Sequence, residues 1–151
     1  MANVTIGHLL DHAREFERKL EAYYASIRDQ SKDDGVRLLT YYLGRHRRHL
    51  DEALAGYPRA DLDRLAAVRL KHDVDFDPEK GFTLMATPPT EVRGKELLEA
   101  AVGYDLQLVE LYKRMLLQPL GEEAAAMVRG LIRVEEKDVV MLKKMIATNY
   151  F

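Results

Sequence analysis

Residues 6–29 of this chain return, in pattern, 88 positions further on. Leu9, Leu10, Ala13, Leu20 and Tyr24 have identical counterparts in Leu97, Leu98, Ala101, Leu108 and Tyr112, and Glu17 falls on Asp105. A second segment repeats at a shift of 89, where Leu43 falls on Ile132, Leu50 on Val139, His46 on Glu135 and His49 on Asp138. The one-residue change of shift lies between the two segments, where a loop absorbs it. The shared apolar positions recur every three or four residues, the period of one face of an α-helix. A chain patterned this way is confined to two similar pairs of amphipathic helices that bury their stripes together.

The boundaries follow from caps and breakers. Helix 1 is expected from Thr5, an N-cap, to about Asp29, with Ile6, Leu9, Ala13, Phe16, Leu20, Tyr23, Tyr24 and Ile27 in its stripe. A short polar break, Gln30 to Gly35, favours an antiparallel neighbour. Helix 2 is expected to run unbroken from about Asp33 to Ala55 and to stop at Gly56-Tyr57-Pro58. Asp61 to Lys71 reads as a short helix, and Asp73 to Pro89 reads as extended, so 57–90 forms a crossover. Helix 3 is expected after Pro88-Pro89, capped by Thr90, to about Leu117. Helix 4 is expected from about Glu122 to Ile146, beyond the breaker Gln118-Pro119-Leu120-Gly121. The tail ends on Tyr150 and Phe151, which suit docking on the helices or on a partner. Four long helices with a long connection after the second describe an all-α, ferritin-like four-helix bundle in one domain, 1–151.

Each stripe carries acids or histidines where apolar residues belong. Leu39, Tyr42, His46, His49 and Ala53 share one face, while Arg45, Arg47, Arg48, Asp51 and Glu52 fall elsewhere and read as a solvated surface. Helix 1 contributes Glu17, helix 3 Asp105, and helix 4 Glu135 and Asp138. The repeat puts all of them in one register, a coincidence much rarer than a single stray polar residue in a core.

With these residues in view, the chain resembles the ferritin-like superfamily, and its rubrerythrin branch most closely. That family carries a carboxylate seven residues before a Tyr or Phe on helices 1 and 3, matched here by Glu17…Tyr24 and, with Asp for Glu, by Asp105…Tyr112. It carries Glu-x-x-His on helices 2 and 4, where this chain has His46-Arg-Arg-His49 and Glu135-Glu-Lys-Asp138. Glu17, His49 and Glu135 match outright; His46, Asp105 and Asp138 depart from the pattern. Asp73 to Lys80 also resembles the crossover of rubrerythrin-like bacterial proteins. The resemblance implies a carboxylate-bridged di-iron or di-manganese centre, chemistry with O2 or peroxide or the oxidation of iron, and a homodimer.

The ligand count survives the departures. Four carboxylates and two histidines remain, redistributed, and as types they suit Fe, Mn or Zn. Four ionised carboxylates carry a charge of about -4, which two divalent ions would compensate; without ions the acids must be protonated, paired or wet. Asp is one methylene shorter than Glu, and two histidines on one helix make two metal positions unequal. A single ion on His46, His49 and one or two carboxylates is therefore an alternative to a pair. A metal-free polar network, with the histidines bonded to acids or to the hydroxyls of Tyr24 and Tyr112, is a third reading. In that case the chain would serve as an interaction or small-ligand module.

Composition removes other classes. A net charge of -2 gives no reason to expect nucleic acid or an anionic membrane as partner. The absence of cysteine excludes disulfides, thiolate sites and cysteine nucleophiles. No apolar run approaches the ~20 residues of a membrane span, and the first residues lack a signal peptide's form, so a cytoplasmic protein is expected. His8 and His12 stand four apart, but without the glutamate of an HExxH pair they read as surface, as does His72.

Overall fold

A computed structural model of the chain describes residues 4–148, and these residues are all-α, with no strand among them. Asn149, Tyr150 and Phe151, the aromatic tail, lie outside the described residues. No described helix is long and apolar enough to cross a membrane.

Helix α1 spans Ile6–Gln30. Its first turn is closed reciprocally: Thr5 Oγ1 accepts from the His8 backbone N–H at 3.1 Å, and the Thr5 N–H donates to His8 Nδ1 at 3.4 Å. Two donors that a helix start leaves orphaned are thereby satisfied. His8 is thus a capping residue at the surface. Helix α2 spans Asp34–His46, with Asp33 Oδ1 accepting from the Gly35 and Val36 N–H groups. The contacts Arg28–Thr40, Arg47–Glu21 and Arg14–Asp51 run in opposite order along the two segments, so α1 and the α2 stretch are antiparallel, as the short loop requires.

The helix expected to run unbroken to Ala55 is interrupted. It stops at His46 and resumes as α3, His49–Ala55, with Arg47 and Arg48 in a turn between them. The Arg48 N–H donates to the Arg45 carbonyl at 3.1 Å, an i to i−3 bond that tightens the helix at this point. Periodicity could not reveal this, because a one-turn tightening keeps both histidines on the inward side.

The crossover is more structured than expected. It holds α4, Arg59–Ala66, and a single turn, α5, at Pro78–Gly81, capped by Asp77 with Pro78 in its first position. Two 3-10 turns follow at Thr83–Ala86 and Pro89–Glu91. Asp-Pro favours a helix start as much as an extended strand, because proline's fixed φ suits the first helical position. Thr90 therefore falls in the second 3-10 turn, and helix α6 starts later, spanning Gly94–Leu116. Helix α7 spans Glu122–Ala147 and is preceded by Gly121 at φ 84°, which a side-chain-bearing residue would occupy only with strain.

The crossover is pinned to α1. The Tyr23 hydroxyl donates to the Leu84 carbonyl at 2.7 Å and lies 3.1 Å from that of Thr87. Tyr23→Phe is expected to cost about 1 kcal/mol and to lower the melting temperature by about 2–4 °C. Amide exchange around residues 82–87 should rise alongside; unchanged exchange there would remove the pin.

Buried residues of α1, α2, α3, α6 and α7 form one contiguous apolar core. Phe16 packs edge-on against Phe82 of the crossover at 6.0 Å and tilted against Tyr104 of α6 at 5.1 Å. Helix α6 packs along α7, and α3 packs on α7. That places α1, the α2–α3 break, α6 and α7 around one polar patch in an otherwise apolar interior.

Candidate functional site

The α2–α3 break sits at this patch. His46 is the last residue of α2 and His49 the first of α3, with ring centroids 5.1 Å apart. His46 Nε2 lies 2.8 Å from Asp105 Oδ2 of α6 and 3.5 Å from Asp138 Oδ2 of α7. His49 Nδ1 lies 2.8 Å from that same Asp138 oxygen. Asp138 Oδ2 is therefore shared between two imidazoles. Carboxyl oxygens of Asp105 and Glu135 lie within 4.8 Å of each other and of Asp138. Of the partners expected for the histidines, acids or the hydroxyls of Tyr24 and Tyr112, the structure gives the acids, and the Tyr112 hydroxyl is buried without a partner.

Every acid foreseen here is buried, and so is His46; His49, 34% exposed at its side chain, is the outward member. Burial raises the Asp105 carboxyl well above the usual range, and the charge of Asp138 adds to this. Burial raises Glu135 in the same way, reinforced by Asp105 and then Asp138. Glu17 is pushed up to about 9, by burial first and the charge of Glu135 second, with the Arg47 guanidinium pulling the other way. Burial lowers His46, against the opposing pull of Asp138. These shifts share one first cause: burial in a low-dielectric interior disfavours the charged form, the carboxylate of the acids and the imidazolium of His46 alike.

The donor atoms fall into two groups. His46, His49 and Asp138 offer one set of three, and Asp105, Glu135 and Asp138 another, with the atoms of each set within 4.8 Å of one another. An ion bound at about 2.0–2.2 Å holds its ligand atoms no more than about 4.4 Å apart, so the donors of each set are spaced on the scale of a single ion's ligands. Five of the six foreseen residues are brought together in this way. Glu17 belongs to neither set. It lines an internal cavity of about 10 Å³ with Tyr24, His46, Arg47, Asp105 and Glu135, space for about one water. On the outer side, a cleft of about 360 Å³ between α3 and α7 is lined by His49, Glu52, Lys137 and Asp138. The interior thus meets solvent at His49 and Asp138.

Arg47 is the residue that pattern alone missed. It was expected on a solvated face with Arg45 and Arg48, but its side chain is 8% exposed. The tightened turn carries it inward, where Nη2 donates to Glu21 Oε2 at 2.6 Å and Nη1 lies 3.7 Å from Asp51 Oδ2. The available signal was Glu21, one turn beyond Glu17 on the inner edge of α1. Arg45 and Arg48 remain exposed, as expected. His12 stacks edge-on against Phe76 and lies 3.8 Å from Glu79, outside the patch. His72 is exposed, with its backbone bonded in both directions to the Gln118 side chain.

No protein family, curated protein or solved structure matches the chain.

Proposed function

We propose that this chain is a ferritin-like four-helix protein that binds a divalent transition metal, with His46, His49 and Asp138 as the principal ligands and Asp105 and Glu135 beside them. The observation that carries this reading is the pair of three-atom donor sets sharing Asp138. The donor chemistry fits: imidazole nitrogen with carboxylate oxygen suits Fe, Mn or Zn, and excludes a preference for soft thiophilic ions. The electrostatics fit as well. Buried acids held far above their ordinary range are acids that a cation would stabilise in the charged form. The long connection from α3 to α6 is the topology by which such sites are assembled from facing helices.

A bound redox metal would supply electron exchange with O2, with peroxide or with further iron. The chain's own groups set the conditions for it. His49 and Asp138 line the α3–α7 cleft, the side from which a small molecule would reach the ion. Leu20, Leu43 and Ala101 line the inner cavity with the polar groups and restrict its water to about one molecule. His46 is oriented by Asp105, the pairing that fixes a ligand ring's angle.

A second reading rests on the same 2.8 Å contacts. His46–Asp105 and His49–Asp138 already close a network without any ion, so the patch can serve as a polar core in a metal-free interaction or small-ligand module. Metal content separates the two. Protein purified without chelator is expected to carry Fe, Mn or Zn near stoichiometry, and His49→Ala is expected to weaken binding at least about tenfold. Trace metal that reconstitution does not raise would eliminate the first reading and leave the second.

A further inference from the structure

Arg47 has no place in the donor sets, yet the fold takes trouble to bury it. The turn between α2 and α3 sends its side chain inward to the cavity that Glu17 lines. Its far end is anchored by Glu21 and Asp51, and each anchor is braced again. Arg48 Nη2 donates to Glu21 at 3.0 Å, and Arg14 Nε donates to Asp51 at 2.8 Å. The Arg47 Nε–H is buried without a partner. Glu17 is the one foreseen ligand outside both donor sets; it lines the same cavity as this guanidinium, the cation whose charge acts on its carboxyl.

A second ion on Asp105 and Glu135 would need further ligands from the cavity side. Beyond the donor residues themselves, the charged groups lining that cavity are Glu17 and Arg47. A divalent cation there would lie against a fixed positive charge in a low-dielectric interior, where like charges repel most strongly. An arginine cannot relieve this by losing its proton, since guanidinium stays charged in proteins.

We infer that Arg47 serves as a built-in cation at the Glu17 end of the site, so that the chain binds one divalent ion, at the His46–His49–Asp138 end, and not two. This inference rests on the metal-binding reading above. It makes Arg47 a positioning residue, acting on the site through charge and not through ligation.

The test is a count of ions. Chelator-stripped protein is dialysed anaerobically against Mn(II) or Co(II), and bound metal is measured by elemental analysis, with the Mn(II) resonance spectrum distinguishing an isolated ion from a coupled pair. Wild type should hold one ion per chain with an isolated-ion spectrum. Arg47→Met should hold two, and adding Glu17→Gln to it should return the count to one. Glu17→Gln alone should keep one ion with affinity within about threefold of wild type. Two ions in wild type would overturn the inference and leave the metal reading standing. So would a single ion in both wild type and Arg47→Met, or an affinity loss beyond about tenfold in Glu17→Gln alone. No ion in wild type would remove the metal reading and the inference with it. If Arg47→Met fails to fold, the wild-type count and the Glu17→Gln arm decide the question.

Discussion

Protein stripped with chelator is expected to melt about 8–16 °C below the same protein saturated with a divalent transition metal. A ligand that binds only the folded state stabilises it by about 4 kcal/mol at a thousand times its dissociation constant. For a chain of this size each kcal/mol moves the midpoint by about 2–4 °C. The physical basis is the buried acid cluster. Asp105, Glu135 and Asp138 lie in the interior with two imidazoles as their close neighbours, and burial raises both Asp105 and Glu135. An ion gives those charges a partner that the unfolded chain cannot offer in one place. His49→Ala removes one member of the principal donor set and should abolish most of the shift. Differential scanning calorimetry with and without added Mn(II) or Zn(II) measures it; equal midpoints with and without metal would show that the patch does not bind these ions.

The second large effect is a pH dependence of the metal-free protein. Glu17 is pushed up to about 9 in the fold, from an ordinary value of 4.5. Between those values the folded chain holds a proton that the unfolded chain has released. The stability contributed by that proton is complete below the unfolded value and is lost as pH rises toward the folded one, at up to about 1.4 kcal/mol per pH unit. Glutamine at this position keeps the shape and cannot ionise. In chelator, Glu17→Gln should therefore gain on wild type steadily from pH 5 to pH 8, by at most about 4 kcal/mol over that range. Asp105 and Glu135 are displaced in the same direction, and both contribute to the Glu17 shift, so the difference reports the Glu17 carboxyl together with its coupling to them. Urea titrations at four pH values give the result. Parallel stability profiles would mean that the Glu17 carboxyl is wet or fully compensated by Arg47.

Much of this protein could be read before its structure. The 88/89 repeat placed Glu17, His46, His49, Asp105, Glu135 and Asp138 in one register, and all of them do meet the same interior patch. Helical period is a property of single segments, so α1 and α7 were foreseen to within a residue or two. The start of α6 was displaced because Pro88-Pro89 signals an interruption without saying which later residue resumes the helix. The break at Arg47-Arg48 left no trace in the pattern, since arginine is a good helix former and neither Gly nor Pro marks the place.

What the sequence alone determined is the all-α class of the fold and which polar residues face the interior together, because both follow from which residues share a helix face. Which members pair was decided only in three dimensions. Separations of 2.8 Å and 3.5 Å depend on how helices from both halves of the chain approach, and no spacing along one helix contains them. The same holds for Arg47. Its charge was visible in the sequence, but its burial at the cavity that Glu17 lines depends on one tightened turn, and that turn moves a cation from solvent toward the interior, where water screens its field less.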